Sequence, residues 1–367
     1  MSKQVYIASA ARTPVGSFQG ALSSLSAPEL GAHSIRASIE RASVQDSQID
    51  EVIMGNVVSA GLKQAPARQA MRNAGLPDSC GATTVNKVCG SGMKAIMLAT
   101  DLIKADSGTT IIAGGMESMS NAPYLVQKAR SGLRMGHQQM QDALFLDGLE
   151  DAETGGSMGS FAQNTADEFQ LTRKDMDDYA TNSVIKARDA IENKLLESEI
   201  EPILIGENRI TNDEQPGRAK LEKIPSLRPA FKTDGTITAA NSSSISDGAS
   251  SLVLTSDEQN LTVEPLARIV GHCTYSIHPS EFTIAPVGAI QKLLTKIDWN
   301  IDDVELFEIN EAFAMVTMLA IQELNLDPAE VNLYGGACAQ GHPIGSTGSR
   351  LVVTLAHAMK RLDKKRG

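Results

Sequence analysis

The sequence is poor in the residue patterns that metal-binding and redox proteins depend on. Its 367 residues include four cysteines and six histidines, and no CxxC pair or HExxH stretch occurs among them. A zinc site or a redox dithiol of these types therefore has no support. A disulfide framework is implausible in a chain of this length. We expect free thiols in a reducing compartment, with no resident metal and no cofactor.

Several other signals are also missing. No apolar signal core, Arg-rich transit peptide or transmembrane run precedes the first strand pattern at Val5, so we expect a cytoplasmic protein without a membrane partner. No Walker loop, GxGxxG motif or interleaving of aromatic and basic residues occurs. The net charge of −11 would not attract phosphate backbones. We therefore expect no nucleic-acid partner.

The chain is long enough for two or three domains, and its hydrophobic content of 42% allows packed cores. In the first third, short apolar strands alternate with helical periods, which predicts an α/β fold with a largely parallel sheet. The predicted strands are 5–10, 49–54, 83–89 and 109–113, and the predicted helices are 27–42, 66–74 and 91–105.

The middle of the chain has a different character. Residues 120–244 are rich in Met, Gln, Gly and charge, which indicates an inserted and irregular domain. A helix is predicted over 173–193, because Thr172 and Asp175 form a plausible capping box. After this region the alternation resumes. The predicted strands are 251–255, 267–273, 304–309 and 332–334, and the predicted helices are 286–294, 312–324 and 347–361.

The two ends of the chain resemble each other. Residues 50–56 are similar to 303–310, and the turn at 85–92 is similar to 334–338 and the loop that follows. This weak repeat indicates duplicated α/β halves, and chance similarity between strand–turn–helix units is the alternative. We predict an N-terminal half formed by 1–119 with 245–266, an inserted loop domain over 120–244, and a C-terminal half over 267–367.

Cys89 is the strongest candidate for a nucleophile. It ends a predicted strand and lies just before Gly90, Ser91, Gly92 and a helix. Free backbone N–H groups and the positive end of the helix dipole favour the thiolate form. The glycines would let a substrate carbonyl approach backbone donors. A buried cysteine that only fills a core gives the same local pattern.

His342 is the candidate base. It lies in the stretch 335–348, whose many glycines are incompatible with the interior of a helix or strand. Pro343 restricts the backbone of His342 to an extended conformation. A neutral imidazole next to a thiol is an ordinary way to activate it. The alternative is a turn histidine without a catalytic role.

Two further stretches are ambiguous. Asn310 follows a predicted strand, where it either caps the next helix or holds a water or an oxyanion. Residues 114–120 follow an apolar run, where they either make a tight turn at a sheet edge or contact a ligand. Spacing alone does not separate these interpretations.

Six stretches, in this order along nearly the whole chain, resemble the thiolase family: 11–16, 85–92, 114–120, 227–231, 310–314 and 341–345. The first two stretches and the turn at 119–123 are most similar to the biosynthetic branch, the acetyl-CoA acetyltransferases. The resemblance implies a thiolase-like five-layered α/β/α/β/α fold of two duplicated halves with an inserted loop domain. It also implies a homotetramer, arranged as a dimer of dimers.

The activity implied by this resemblance is a reversible Claisen condensation. Two molecules of acetyl-CoA would give acetoacetyl-CoA and coenzyme A through an acetyl-Cys89 intermediate. His342 would take the thiol proton, and Asn310 would hold a water in an oxyanion hole shared with His342. The positions that match coenzyme A contacts of the family are Leu149, Met158, Arg218, Phe231, Ala239, Ser243, Ala312 and Phe313.

Two departures from the family pattern bear on the function. The family has a second catalytic cysteine in a Cys-x-Gly motif after the histidine loop, and this sequence reaches Gly367 without one. Cys338 lies before His342 and is not its counterpart, so we expect a missing tail with the final strands. Ser157 stands where many acetyl-CoA acetyltransferases have histidine. A degradative 3-ketoacyl-CoA thiolase for longer chains and an inactive coenzyme A-binding scaffold are the alternatives.

Overall fold

A mixed β-sheet forms the centre of the first half of the chain in the computed structural model, which describes residues 3–256 and 261–367. Part of the predicted boundary region 245–266, namely 257–260, lies outside the described residues. The strands, in chain order, are β1 (Tyr6–Arg12), β2 (Gly16–Ser17), β3 (Glu51–Gly55), β4 (Gly81–Val85), β5 (Thr110–Ser118), β6 (Tyr124–Leu125), β7 (Gln141–Asp142), β8 (Ile203–Ile205), β9 (Asn208–Ile210), β10 (Ser246–Thr255) and β11 (Ala267–Arg268).

The strand order of the central sheet is β11-β1-β10-β5-β3-β4, and β2 pairs with β10. Strand β3 runs parallel to both β4 and β5, whereas β10 runs antiparallel to both β1 and β5. The prediction of a largely parallel sheet was therefore wrong, because only two of its six strand pairings in the described residues are parallel. The reason is that β10 returns to the sheet after a long excursion and inserts between β1 and β5. Every residue of β5 and β10 is buried, as expected for strands covered on both faces.

Helices cover the sheet on both sides, and none in the described ranges is long and apolar enough to cross a membrane. The α-helices, in chain order, are α1 (Ala27–Ala42), α2 (Pro66–Asn73), α3 (Ser91–Lys104), α4 (Met158–Glu168), α5 (Arg173–Glu192), α6 (Glu214–Arg218), α7 (Ala285–Ile297), α8 (Ala314–Leu324), α9 (Ala337–Gln340) and α10 (Thr347–Leu362). One face packs against α1 and α2, and the opposite face packs against α3 and α10. Helix α10, from the far end of the chain, thus lies beside α3 on the first-half sheet.

Apart from the 20-residue helix α5, the segment 120–244 has short elements. It contains two small hairpins, β6–β7 and β8–β9, and the helices α4, α5 and α6. The Thr172 hydroxyl accepts a hydrogen bond from the Asp175 N–H at 3.1 Å, which confirms the predicted start of α5. Helix α4 packs against α8 of the second half through one apolar cluster that includes Ala162, Ala166 and Met315.

Two strands predicted for the second half are not regular strands. In place of 304–309 and 332–334 the structure has one parallel bridge between Phe307 and Val331. Asn332 has a left-handed backbone with φ of 48°, which ends extended pairing. Its side chain continues the pairing instead, because it accepts from the Ile309 N–H at 2.8 Å and donates to the Ile309 carbonyl at 2.9 Å. The division into three domains stays a prediction.

A buried ion triad joins β1 to the inserted segment. The Arg12 guanidinium donates to Glu199 at 2.6 Å and to both carboxylate oxygens of Asp213 at 2.7 and 2.9 Å. All three side chains are 1% exposed or less. A charge that is taken out of water is costly unless it is paired, so each member depends on the other two.

We expect Arg12→Met to lower the free energy of unfolding by about 3–5 kcal/mol, because it leaves two buried carboxylates without a cationic partner. Urea denaturation of the two proteins measures the change. Arg36→Met is the matched control, since Arg36 pairs with Asp46 at the surface. We expect a change of less than about 1 kcal/mol there. An equally small change for Arg12→Met would contradict the role of the triad.

Candidate active site

The sheet and its helices bring Cys89 and His342 together. Cys89 lies two residues before α3, and His342 lies five residues before α10. Because α3 and α10 pack side by side on one face of the sheet, their N-terminal ends meet at the same place. His342 Nε2 lies 3.2 Å from Cys89 Sγ. Residues from two distant stretches therefore form one nucleophile–base pair.

The turn that carries Cys89 is held by local hydrogen bonds. Asn86 accepts from the Val88 N–H at 3.0 Å, and the Ser91 hydroxyl accepts from the Lys87 N–H at 2.8 Å and donates to the Val88 carbonyl at 2.7 Å. Val88 has φ of 47°, a strained conformation for a β-branched residue. This backbone conformation places the half-buried Cys89 at the N-terminal end of α3, beside the apolar cluster that contains Ile344.

The imidazole of His342 is held from its other nitrogen. His342 Nδ1 lies 2.5 Å from Thr347 Oγ1, and the Thr347 hydroxyl donates to the Pro343 carbonyl at 3.1 Å. A hydroxyl has one proton, so this arrangement leaves Thr347 to accept from Nδ1–H. Nε2 is then unprotonated and faces the thiol. The network thus assigns the tautomer that a general base requires.

Burial changes the proton affinities of both groups. It raises the pKa of the Cys89 thiol to about 11, with a smaller contribution from Glu117 and an opposing backbone hydrogen bond. It lowers the pKa of His342 to about 4, with a further contribution from Arg350. At neutral pH both groups are uncharged. These pKa values favour a resting thiol that ionises as its proton moves to His342 over the thiolate that the helix terminus alone would favour.

Of the stretch 114–120, the first residues continue β5 and the turn comes only at Met119–Asn121, while a ligand contact stays a prediction. Gly114 and Gly115 are interior residues of β5 and form no turn. A Cβ on Gly115 would lie 2.0 Å from the Gly345 carbonyl oxygen, which is far inside van der Waals contact. Glycine at this position lets the histidine loop lie directly on the sheet.

Asn310 is placed by the segment 241–246. Ser243 N–H donates to the Ala312 carbonyl at 3.0 Å and Ala314 N–H donates to the Asn241 carbonyl at 2.9 Å, which fixes the Asn310 stretch. The same segment reaches His342, whose N–H donates to the Ser244 carbonyl at 3.0 Å and to the Ser246 hydroxyl at 3.2 Å. The Asn310 Oδ1 atom is buried and has no hydrogen-bond partner among the described residues. It is therefore free to accept from a water or ligand.

Some candidate coenzyme A residues come together. The rings of Phe231 and Phe313 meet edge to face with centroids 6.2 Å apart. The Phe231 ring also packs directly on Gly159, next to Met158 at the start of α4. Ala312 is part of the same apolar cluster as Phe313. This half-exposed aromatic group is a surface on which the apolar arm of a ligand can lie.

The other candidate residues are more scattered. Leu149 packs against the apolar cluster that Cys89 also contacts, while Ala239 is exposed and Ser243 is half-buried. Arg218 ends α6 and forms a partly exposed ion pair with Glu214 at 3.0 Å. Glu214 itself accepts from the N–H groups of a turn near β2. A ligand contact by Arg218 stays a prediction.

Cys338 is not part of the nucleophile–base pair. Its buried thiol donates to the Glu311 carbonyl at 3.6 Å, and burial raises its pKa well above the ordinary value. No group of His, Cys, Asp and Glu within residues 3–256 and 261–367 could hold a metal ion. All four cysteines are free.

Sequence reasoning missed Thr347 and Ser246, which contact His342 directly. A usable signal existed for Thr347 alone, because it lies five residues after the histidine, at the first position of the next helix. Ser246 comes from the start of β10, almost a hundred residues earlier, and no local pattern connects it to the site.

Comparisons with known proteins identify this arrangement. The families described as "Thiolase, N-terminal domain" and "Thiolase, C-terminal domain" match residues 5–258 and 263–367. The chain belongs to the thiolase family. An acetyl-CoA acetyltransferase of Pseudomonas aeruginosa is 44% identical to this thiolase, over 100% of this chain and 95% of its own. Mitochondrial acetyl-CoA acetyltransferase A of Xenopus laevis is also 44% identical, over 98% and 87% of the two chains.

A solved structure confirms the fold class. The Acat5 thiolase from Ascaris suum, in complex with coenzyme A, is similar with a TM-score of 0.94 and 42% sequence identity. The likeness covers 97% of this chain and 93% of that one. The predicted thiolase fold is therefore correct, although the strands predicted for 304–309 and 332–334 form only the bridge described above.

We expect the rate of Cys89 alkylation by iodoacetamide to keep rising up to about pH 10, with no plateau near pH 8. The thiolate is the reacting form, and a pKa near 11 leaves its fraction small and increasing through this whole range. Mass spectrometry of the Cys89 peptide measures the rate, and Cys89→Ser confirms the assignment. A plateau at or below about pH 8 would show instead that the thiol is ionised at rest.

Proposed function

We propose that this thiolase is an acetyl-CoA C-acetyltransferase, which converts two molecules of acetyl-CoA reversibly into acetoacetyl-CoA and coenzyme A. The observation that carries the proposal is the contact between Cys89 Sγ and an unprotonated His342 Nε2. It supports acyl transfer through a thioester on the chain. The names of the relatives from Pseudomonas aeruginosa and Xenopus laevis support acetyl-CoA as the donor.

The first half-reaction uses the residues of this pair. His342 Nε2 takes the Sγ proton as Sγ attacks the thioester carbonyl of acetyl-CoA, and a tetrahedral oxyanion forms. The carbon–sulfur bond to coenzyme A then breaks. The departing thiolate of coenzyme A takes the proton from His342, and acetyl-Cys89 remains. Because the imidazole is neutral at rest, it is ready to accept this proton.

Charge on the carbonyl oxygen must be stabilised in each tetrahedral step. Once protonated, His342 has an Nε2–H group next to the reacting sulfur, where it can donate to this oxygen. Asn310 is the proposed second contributor, through a water that its buried and unpartnered Oδ1 would hold. Ser243 and Asn241 position this stretch relative to His342 through the shared 241–246 segment.

The second half-reaction needs a base that removes a proton from the methyl group of the second acetyl-CoA. The resulting enolate attacks acetyl-Cys89, forms the new carbon–carbon bond and releases the Cys89 thiolate. The family resemblance gives this proton transfer to a second cysteine. Cys338 does not fill that role, because its thiol is buried against the Glu311 carbonyl and away from the pair.

The coenzyme A arm is proposed to lie along the aromatic group of Phe231 and Phe313. The Phe231 ring, which is 39% exposed and meets the buried Phe313 ring edge to face, provides apolar area for a pantetheine chain. The proposed contacts are Leu149, Met158, Arg218, Phe231, Ala239, Ser243, Ala312 and Phe313. Acetyl-CoA, acetoacetyl-CoA and coenzyme A are the ligands, and no further cofactor is proposed.

A homotetramer in the cytoplasm is the proposed state of the protein. In the described part of the chain, strand β4 has a paired neighbour on one side only, and an edge of this kind can pair with a second copy. The segment 126–140 exposes Met135 and Met140, at 95% and 69% of their surfaces, which supports a second contact between copies. The four free cysteines are consistent with a reducing compartment.

We expect brief incubation with acetyl-CoA to add one acetyl group to the intact protein. Cys89→Ser should abolish the thioester adduct. His342→Ala should slow its formation by about 10²–10⁴-fold, since the general base is lost. Quenched-flow mass spectrometry measures the rate, and Cys273→Ser is a control thiol outside the site. No adduct on the wild-type protein would favour the inactive scaffold.

The preferred acyl chain length separates an acetyl-CoA acetyltransferase from a degradative 3-ketoacyl-CoA thiolase. Ser157 caps α4 beside Met158, at a position where the family resemblance places histidine in many acetyl-CoA acetyltransferases. We expect thiolysis of acetoacetyl-CoA to have a kcat/KM at least about tenfold above that of 3-ketooctanoyl-CoA, a difference of about 1.4 kcal/mol. A preference for the longer substrate would assign the protein to the degradative thiolases.

A further inference from the structure

Two buried carboxylates flank the loop that carries His342. Glu117 is the second-last residue of β5, and Glu311 follows Asn310 in the sequence. Both are at most 1% exposed. Neither forms an ion pair within the described ranges 3–256 and 261–367, unlike the buried carboxylates Glu199 and Asp213, which share Arg12. A buried carboxylate without a cation needs several hydrogen-bond donors, so the identity of those donors indicates its role.

Glu117 binds the end of the loop that follows His342. One of its oxygens accepts from the N–H groups of Gly345 at 2.9 Å and Val57 at 3.0 Å. The other accepts from Asn56 Nδ2 at 2.8 Å and from the Val58 N–H at 3.2 Å. All four partners are donors. The carboxylate therefore joins the histidine loop to the turn after β3.

Glu311 binds the beginning of the same loop. One oxygen accepts from the Cys338 N–H at 3.1 Å and from the Ser183 hydroxyl at 2.8 Å, and Ser183 in turn accepts from the Gly336 N–H at 3.0 Å. The other oxygen accepts from Tyr179 and Asn332, each at 2.9 Å. A Cβ on Gly336 would lie 2.3 Å from the Glu311 carboxyl carbon. The loop backbone thus rests on the carboxylate itself.

These contacts fix both ends of a segment whose interior has little regular structure. Between Gly336 and Gly345 the chain forms only the four-residue helix α9 and a glycine-rich turn. A group whose oxygens can accept from every partner suits this place better than an amide. A glutamine would direct an NH₂ group at backbone N–H groups that can only donate. A misplacement of about 1 Å at a reacting atom can lower a rate about 10²-fold.

We propose that Glu117 and Glu311 are positioning residues for acyl transfer, and that they act through the loop by holding His342 Nε2 against Cys89 Sγ. Glu117 anchors the loop to the first half of the chain, and Glu311 anchors it to the second half and to the Asn310 stretch. The inference rests on the proposed function for its substrate. The anchoring of the loop by the two carboxylates does not depend on that substrate.

A double-mutant cycle with His342→Ala tests the proposal. We expect Glu117→Gln and Glu311→Gln each to lower the rate of Cys89 acetylation about 10- to 100-fold at saturating acetyl-CoA, with KM changed less than about twofold. In a His342→Ala background the same changes should cost less than about twofold, because there is no imidazole left to position. A structural effect unrelated to His342 would persist in that background.

Glu199→Gln is the matched control. Glu199 is equally buried and has no contact with the histidine loop in the described structure, so its change should leave the acetylation rate within about twofold. An equal loss for Glu199→Gln, or an undiminished loss in the His342→Ala background, overturns the proposal. Near-ultraviolet circular dichroism verifies that each variant is folded.

Milder variants keep the test decisive where a glutamine variant does not fold. Ser183→Ala removes one donor to Glu311, and Asn56→Ala removes one donor to Glu117, and both should show the same dependence on His342. Iodoacetamide alkylation of Cys89 is a second readout that needs no acyl donor. If the wild-type protein is alkylated but not acetylated, the proposed function fails, and the alkylation cycle still decides the role of the two carboxylates.

Discussion

The site depends on one contact, the 3.2 Å approach of His342 Nε2 to Cys89 Sγ across 253 positions of sequence. No local interaction can form it. It requires α10 to pack beside α3 on the sheet of the first half, so that the ends of the two helices coincide. The insertion of β10 between β1 and β5 contributes as well, because Ser246 at the start of that strand binds the backbone of His342. The distance between these two side chains therefore depends on the packing of the sheet and its helices.

The electrostatic state of the pair follows from its burial. A site this dry disfavours charge, so it holds a thiol and a neutral imidazole at rest and not a preformed ion pair. The Cys89 sulfur then becomes nucleophilic only when an acyl donor is present for it to attack. Thr347 makes this possible because it binds Nδ1 and leaves Nε2 for the thiol proton.

Sequence reasoning predicted the elements with strong periodicity. The bounds of α1 are 27–42 as predicted, and α3 and α10 are within one residue of prediction, since helix periods and caps are local signals. It failed where distant chain segments decide the outcome. The direction of β10 is set by its neighbours, and Asn332 replaces strand pairing with its side chain. Cys89 and His342 could be predicted because glycine-rich turns adjoin them in the sequence. Glu117, Glu311 and Ser246 could not be predicted, because their partners come from other parts of the chain.

The protonation state of the His342 ring nitrogens most directly tests whether His342 is the base for Cys89. Nitrogen-15 NMR of histidine-labelled protein, with the His342 signal assigned by a His342→Gln variant, reports which nitrogen carries the proton. We expect a neutral ring at pH 7 with the proton on Nδ1 and an unprotonated Nε2, and no titration down to about pH 5. An imidazolium at pH 7, or a neutral ring protonated at Nε2, would contradict it.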